Sequence, residues 1–133
     1  MPGIVLDSYA LLAYFRDEPG AEAVEKLLNK AAGSDKPLHM TEVNYAEVKY
    51  MLLRKDGAGA WAAAAEVLHG LPIEFHAADR RLADLAADLK ARHPLSLADA
   101  FAAALAREKK AELVTGDPEF KVVEREIKIL WLS

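Results

Sequence analysis

Asp7, Glu47, Asp99 and Asp117 are carboxylates of the kind that hold a hard divalent cation for phosphoryl-transfer chemistry, although they are spread over most of a 133-residue chain. Asp7 closes the first apolar run, Gly3-Ile4-Val5-Leu6, and Asp117 follows Leu113-Val114-Thr115. Each therefore sits just past the C-terminal end of an expected strand, where ligands of open α/β sheets collect. An all-oxygen donor set, with no cysteine and no histidine pair at ligand spacing, suits Mg²⁺ or Mn²⁺ rather than zinc. Carboxylates gathered at one point repel one another, so the cation would also relieve the local electrostatics.

Each acid also has a purely structural reading. Asp7 can cap a helix beginning at Ser8, and Asp117 before Pro118 has the form of an N-cap with proline at the first helical position. Ser96-x-x-Asp99 matches a capping box. Yet Asp99 is surrounded in sequence by Leu97, Ala98, Phe101, Ala102 and Ala103, so its carboxylate is costly to desolvate unless it is paired, capping or bound to a cation. On a helix from Glu42 to Lys55, Glu42 and Glu47 are about 140° apart. Glu42 shares a side with Lys49, as on a solvated face, whereas Glu47 falls between Val43, Tyr50 and Met51 on the side expected to turn inward. A salt bridge from Glu47 to Arg54 is the alternative.

The elements that must position these acids alternate between strand-like and helix-like segments, with no linker, repeat or low-complexity tract. Strands are predicted at Gly3–Leu6, Leu38–Thr41, Ile73–His76, Leu113–Thr115 and Ile127–Leu130. Helices are predicted at Ser8–Arg16, after Pro19-Gly20 through Val24, Leu27 and Leu28, at Glu42–Lys55, around Trp61–His69, at Asp79–Arg92 and at Ser96–Lys110. The expectation is one α/β domain spanning residues 1–133, with 53% hydrophobic content to build its core. Seventeen Lys and Arg against 21 Asp and Glu give a net charge of -4, so any contact with a nucleic-acid backbone must come from a local basic patch. Lys49, Arg54, Lys55, Arg80 and Arg81 are the candidates. The N-terminus has no cationic leader pattern, and the longest apolar stretch, Ala100–Ala106, is far short of the ~20 residues of a membrane span. A soluble cytoplasmic protein is expected.

Taken together, Val5-Leu6-Asp7-Ser8, Glu18-Pro19-Gly20-Ala21-Glu22, Asn44-Tyr45-Ala46-Glu47-Val48, Leu95-Ser96-Leu97-Ala98-Asp99-Ala100 and Val114-Thr115-Gly116-Asp117-Pro118-Glu119-Phe120 resemble, in order and spacing, the PIN-domain nucleases. Within these, the likeness is to the VapC-type toxins of toxin-antitoxin pairs. It extends over essentially the whole chain. The resemblance implies a three-layer α/β/α domain with a central, mainly parallel sheet of four to five strands, and cleavage of RNA dependent on Mg²⁺ or Mn²⁺. By analogy with the family's acidic quartet, Asp7 and Asp99 would touch the metal, Glu47 and Asp117 would complete its shell, and the hydroxyls of Ser8 and Thr115 would assist. The motif departs from the family at Tyr9, where small or hydroxyl residues are frequent.

The same resemblance implies a small VapB-like antitoxin seated in an apolar groove, and a homodimer. Leu11, Leu12, Tyr14, Phe15, Leu27, Leu28, Leu52, Leu53 and Trp61 supply more large apolar side chains than the inward helix faces clearly require. Other readings fit less well. A receiver domain needs an acceptor Asp after a central strand, and only Asp56, at a helix end, lies mid-chain; a haloacid-dehalogenase-type phosphatase needs a second carboxylate that Asp7-Ser8-Tyr9 lacks. A non-catalytic protein- or RNA-binding module of the same fold would have no reason to keep all four acids.

Overall fold

A computed structural model describes residues 3–132; Met1, Pro2 and Ser133, which the single-domain reading includes, lie outside the described residues. The elements run β1 (Ile4–Leu6), α1 (Ser8–Arg16), α2 (Ala21–Ala32), β2 (Leu38–Thr41), α3 (Glu42–Asp56), α4 (Ala58–His69), β3 (Ile73–His76), α5 (Arg80–Arg92), α6 (Leu97–Lys109), β4 (Glu112–Thr115), a 3-10 helix (Pro118–Val123) and β5 (Ile129–Trp131). The five strands form one sheet in the order β3-β2-β1-β4-β5, and every pair is parallel. This is the expected α/β/α architecture with all five strands present.

Side-chain alternation along the short strands sorts the core into two halves. Val5 and Leu113 face α5 and α6 with Leu89, Phe101, Leu105 and Phe120. Leu6, Val114, Leu38 and Met40 face the opposite half with Leu11, Val24, Leu28, Val48 and Leu52. Helix α6 is the central helix: Ala100 through Ala106 are all buried, and the five alanines among them let it lie close against β1, β2 and β4. On the other face, Tyr45 of α3 meets Trp61 of α4 and Phe75 of β3 edge-on, with ring centroids 5.9 and 5.6 Å apart.

Two expectations are corrected. The last strand begins at Ile129, not Ile127, because Ile127 is buried and donates its N–H to the Val123 carbonyl at 3.0 Å, closing the preceding turn. The inward stripe of α3 is Asn44, Val48 and Leu52, so Tyr50, expected inside, is 44% exposed. A period that counts asparagine as polar misses the stripe, because Asn44 is fully buried by virtue of its hydrogen bonds. The apolar excess also proves to be mostly core. Leu11, Leu28 and Leu52 are buried, Leu12, Tyr14, Phe15, Leu27 and Trp61 pack against them, and Leu53 alone of the group is exposed. Among the described residues no helix is long and apolar enough to cross a membrane.

Candidate metal centre

In this strand order the chain runs outward from β1 through β2 to β3 on one side, then returns to β4 on the other. The topological switch point thus lies between β1 and β4, and crevices form at the C-terminal ends of such strands. Asp7 directly follows β1 and Asp117 lies two residues beyond β4. Asp99 is in the first turn of α6 and Glu47 in the second turn of α3, both helices entering from the same edge.

The structural and functional readings of the acids turn out to be compatible. Asp7 Oδ1 caps α1 by accepting the Ala10 N–H at 2.8 Å, while Oδ2 accepts the Thr115 hydroxyl at 2.5 Å. That hydroxyl also accepts the Asp117 N–H at 2.9 Å, so Thr115 fastens both acids. Asp117 Oδ1 caps the 3-10 helix through Glu119 N at 2.9 Å. Ser96 caps α6 by accepting the Asp99 N–H at 3.2 Å, and its hydroxyl also acts on the Asp99 carboxyl, opposing the rise in its pKa. Carboxylate oxygens of Asp99, Asp117 and Glu119 lie within 4.8 Å of one another. Glu119 thus joins the four acids expected from the sequence, and its Asp-x-Glu spacing after β4 is the signal that marks it.

Electrostatics agree with the geometry. Burial pushes the Asp7 carboxyl up to about 8, against the Thr115 and Ala10 hydrogen bonds that lower it, with the charges of Asp99 and Asp117 adding to the rise. Asp99 is raised to about 7, first by burial and then by Asp117, with smaller repulsion from Glu119 and Glu47. Glu47 is half-buried, and among the described residues it has no salt bridge; Arg54 lies over the Tyr50 ring instead, 5.5 Å from its centroid. Five carboxylates therefore share one field, and a divalent cation is the partner that their charge and donor type fit.

Ser8 serves this site indirectly. Its hydroxyl accepts from Asn44 Nδ2 at 3.1 Å and donates to the Asn44 carbonyl at 3.3 Å. Asn44 Nδ2 also donates to the Ala98 carbonyl at 3.1 Å, and its Oδ1 accepts from Thr41 at 2.5 Å. One buried amide thus joins α1, α3 and α6, the helices adjoining or carrying Asp7, Glu47 and Asp99.

A model of the PIN domain matches residues 4–126, nearly the whole chain. The chain belongs to the PIN domain family. Among solved structures, its PIN fold is similar to a DNA-bound VapBC from Salmonella typhimurium, at 17% identity with 100% of both chains covered and a TM-score of 0.80. It is similar to VapBC2 from Rickettsia felis bound to a promoter DNA fragment, at 13% identity, 98% of both chains and a TM-score of 0.79. A third is VapC20 from Mycobacterium tuberculosis, a sarcin-ricin loop cleaving toxin, at 19% identity, 91% of this chain and 95% of that one, with a TM-score of 0.74. Comparison with curated proteins returns no match.

Beside the acids of this PIN domain, the Tyr9 ring covers Gly116; a Cβ at position 116 would come within 2.3 Å of Tyr9 Cε1. Gly116→Ala is therefore expected to push the ring outward and lower the melting temperature by a few degrees, roughly 1 kcal/mol. In a Tyr9→Ser background the same change should cost almost nothing, which a double-mutant cycle by thermal denaturation checks. Tyr9 also helps line a cleft of about 310 Å³ with Leu12, Arg16, Pro19, Met51 and Lys55.

The basic residues are placed unevenly. Lys49 points away from Glu47 and lies over Trp61, 5.5 Å from the ring centroid, so it is not brought to the acids. Arg81 is paired with Glu108 at 2.6 Å. Arg80 opens α5 without a salt bridge among the described residues, and Lys55 stands in the cleft.

Proposed function

We propose that residues 1–133 form a single PIN domain that hydrolyses RNA phosphodiester bonds as a metal-dependent endoribonuclease, acting as the toxin of a toxin-antitoxin pair. The observation that carries this reading is the convergence of Asp7, Glu47, Asp99, Asp117 and Glu119 at the switch point, with two of the acids raised to about 8 and about 7 by burial and mutual repulsion. Asp99, Asp117 and Glu119 would hold Mg²⁺ or Mn²⁺, and Asp7, which the resemblance puts on the metal but whose two oxygens accept from Ala10 and Thr115, would join Glu47 in completing its shell. When bound, such a cation lowers the pKa of a water nucleophile and offsets charge on the phosphoryl oxygens.

The chain's own residues supply the rest. Thr115 locks Asp7 Oδ2 and the Asp117 backbone in one orientation, so the acids need little reorganisation when they bind. Burial and mutual repulsion raise the Asp7 and Asp99 carboxyls, so filling of the site by a cation would be accompanied by proton release. With a net charge of -4, backbone phosphates would be met locally, by Lys55 in the cleft beside α3, with Arg54 and Arg80 as further candidates. The VapBC assemblies among the structural neighbours support a VapB-like antitoxin as partner, and we assign the protein to the cytoplasm, as a homodimer.

The test is to incubate partner-free protein with total RNA in Mg²⁺ or Mn²⁺, beside a chelator control and the Asp99→Asn variant, and to map new 5′ ends. Discrete cuts that vanish in both controls are expected. If a folded, metal-binding protein cuts no RNA, the nuclease reading fails and a binding module of the same fold takes its place.

A further inference from the structure

Beyond the acidic centre, the edge of the sheet carries a second group of ligand side chains. Strands β2 and β3 pair with His39 opposite Glu74 and Thr41 opposite His76, so His39, Glu74 and His76 project from one face while Leu38, Met40, Ile73 and Phe75 enter the core on the other. His39 Nδ1 and His76 Nε2 are 2.9 Å apart. Glu74 Oε2 lies 3.9 Å from His39 Nδ1, and Oε1 lies 3.9 Å from His76 Nε2. These three ligands come from two parallel strands and share no residue with the acidic group.

A tetrahedral Zn²⁺ with bonds of about 2.0–2.1 Å to nitrogen has neighbouring ligands about 3.3–3.4 Å apart. The 2.9 Å separation is a hydrogen bond between the two rings, which a cation would replace by displacing its proton, and it and the 3.9 Å separations fall on either side of that edge, within the reach of small side-chain rotations. Both imidazoles are largely shielded, with side-chain exposures of 15% and 21%, whereas Glu74 is 56% exposed and able to swing. Two imidazoles and one carboxylate form a borderline donor set that selects a first-row transition ion over Mg²⁺. Lys109 is near enough to oppose a cation, and Glu74 offsets it.

We propose that His39, Glu74 and His76 form a second metal site, for a transition ion of the Zn²⁺ class, that clips the edge strand β3 to β2. Its fourth position is open to water or an outside ligand. The site does not depend on nuclease activity. An edge strand is the part of a sheet most open to fraying and to pairing with other chains, and a metal bridge restrains both.

Untagged, chelator-treated protein should be titrated with Co²⁺ and followed by visible absorption, because a four-coordinate site gives strong bands and an all-carboxylate site does not. Expected are bands that saturate at one equivalent, are bleached by Zn²⁺, and persist in Asp99→Asn. His39→Asn and His76→Gln, checked for folding by circular dichroism, should weaken binding by more than the roughly 10- to 100-fold that an outer-shell change costs. In the wild type, Zn²⁺ should also raise the melting temperature. Wild-type protein that shows no bands and no thermal shift, or bands that survive in His76→Gln, would overturn the proposal.

Discussion

Asp99→Asn is expected to yield a protein that is more stable and inactive. Cleavage of RNA in Mg²⁺ should fall by at least about 1,000-fold, some 4 kcal/mol of transition-state stabilisation. The metal-free melting temperature at pH 8 should meanwhile rise by on the order of 5 °C. The gain follows from the cause of the carboxyl's shift: Asp99 is raised from 3.8 to about 7 by burial and by Asp117, so its ionised form is a burden on the folded state. Between those values the folded chain keeps a proton that the unfolded chain has released. Metal-free wild type should therefore be most stable near pH 4 and lose stability as pH climbs through about 7, with Asp7 extending the decline to about 8. Saturating Mg²⁺ should flatten this slope and Asp99→Asn should remove part of it. Calorimetry from pH 5 to pH 9 decides: a variant less stable than wild type at pH 8 would mean that the Asp99 carboxylate is held by partners, not strained by neighbours.

Asn44→Ala should produce the largest loss of stability among single polar substitutions, about 2–4 kcal/mol, or a fall on the order of 10 °C. Asn44 is fully buried, and its amide serves Thr41, Ser8 and the Ala98 carbonyl together. Removing it strands those partners without water to replace it. Asn44→Asp should be no better, because it keeps the shape but loses both donors and adds a buried charge. Activity should fall with stability at 37 °C and also at a temperature where the variant is fully folded, because α1, α3 and α6 lose their common tie. Glu42→Ala, on the exposed side of the same helix, is the control and should change stability by less than about 0.5 kcal/mol.

The fold was largely legible because β1, β2 and β4 are short runs followed at once by an acid or glycine, and four of its helices open on Asp7, Thr41, Asp79 and Ser96, residues whose side chains cap them. What sequence could not separate were two uses of one side chain. Asp7 and Asp117 each spend an oxygen on a cap while standing in the cluster, so the choice between cap and site was a false one. Glu119 escaped notice because a 3-10 turn, not an α-helix, brings it back beside Asp117. Asn44 escaped because a polar residue inside a helix reads as outward until its partners, at positions 8 and 98, are known. His39 and His76 show the same limit. Thirty-seven positions apart, they have no ligand spacing until parallel pairing sets them side by side.

The Thr115–Asp7 hydrogen bond joins residues 108 positions apart, which gives the molecule a clock during its own synthesis. As the chain leaves the ribosome, β1, β2 and β3 can pair in turn, but the edge of β1 that should receive β4 stays open until residues 112–115 emerge. Until then Asp7 Oδ2 lacks its Thr115 partner, and Asp117 and Glu119, which follow β4, are not beside it. A chain cut short before β4 therefore lacks Asp117 and Glu119, two of the five clustered acids, and leaves one edge of the central strand β1 unpaired. The acidic centre is assembled only when β4 docks beside β1.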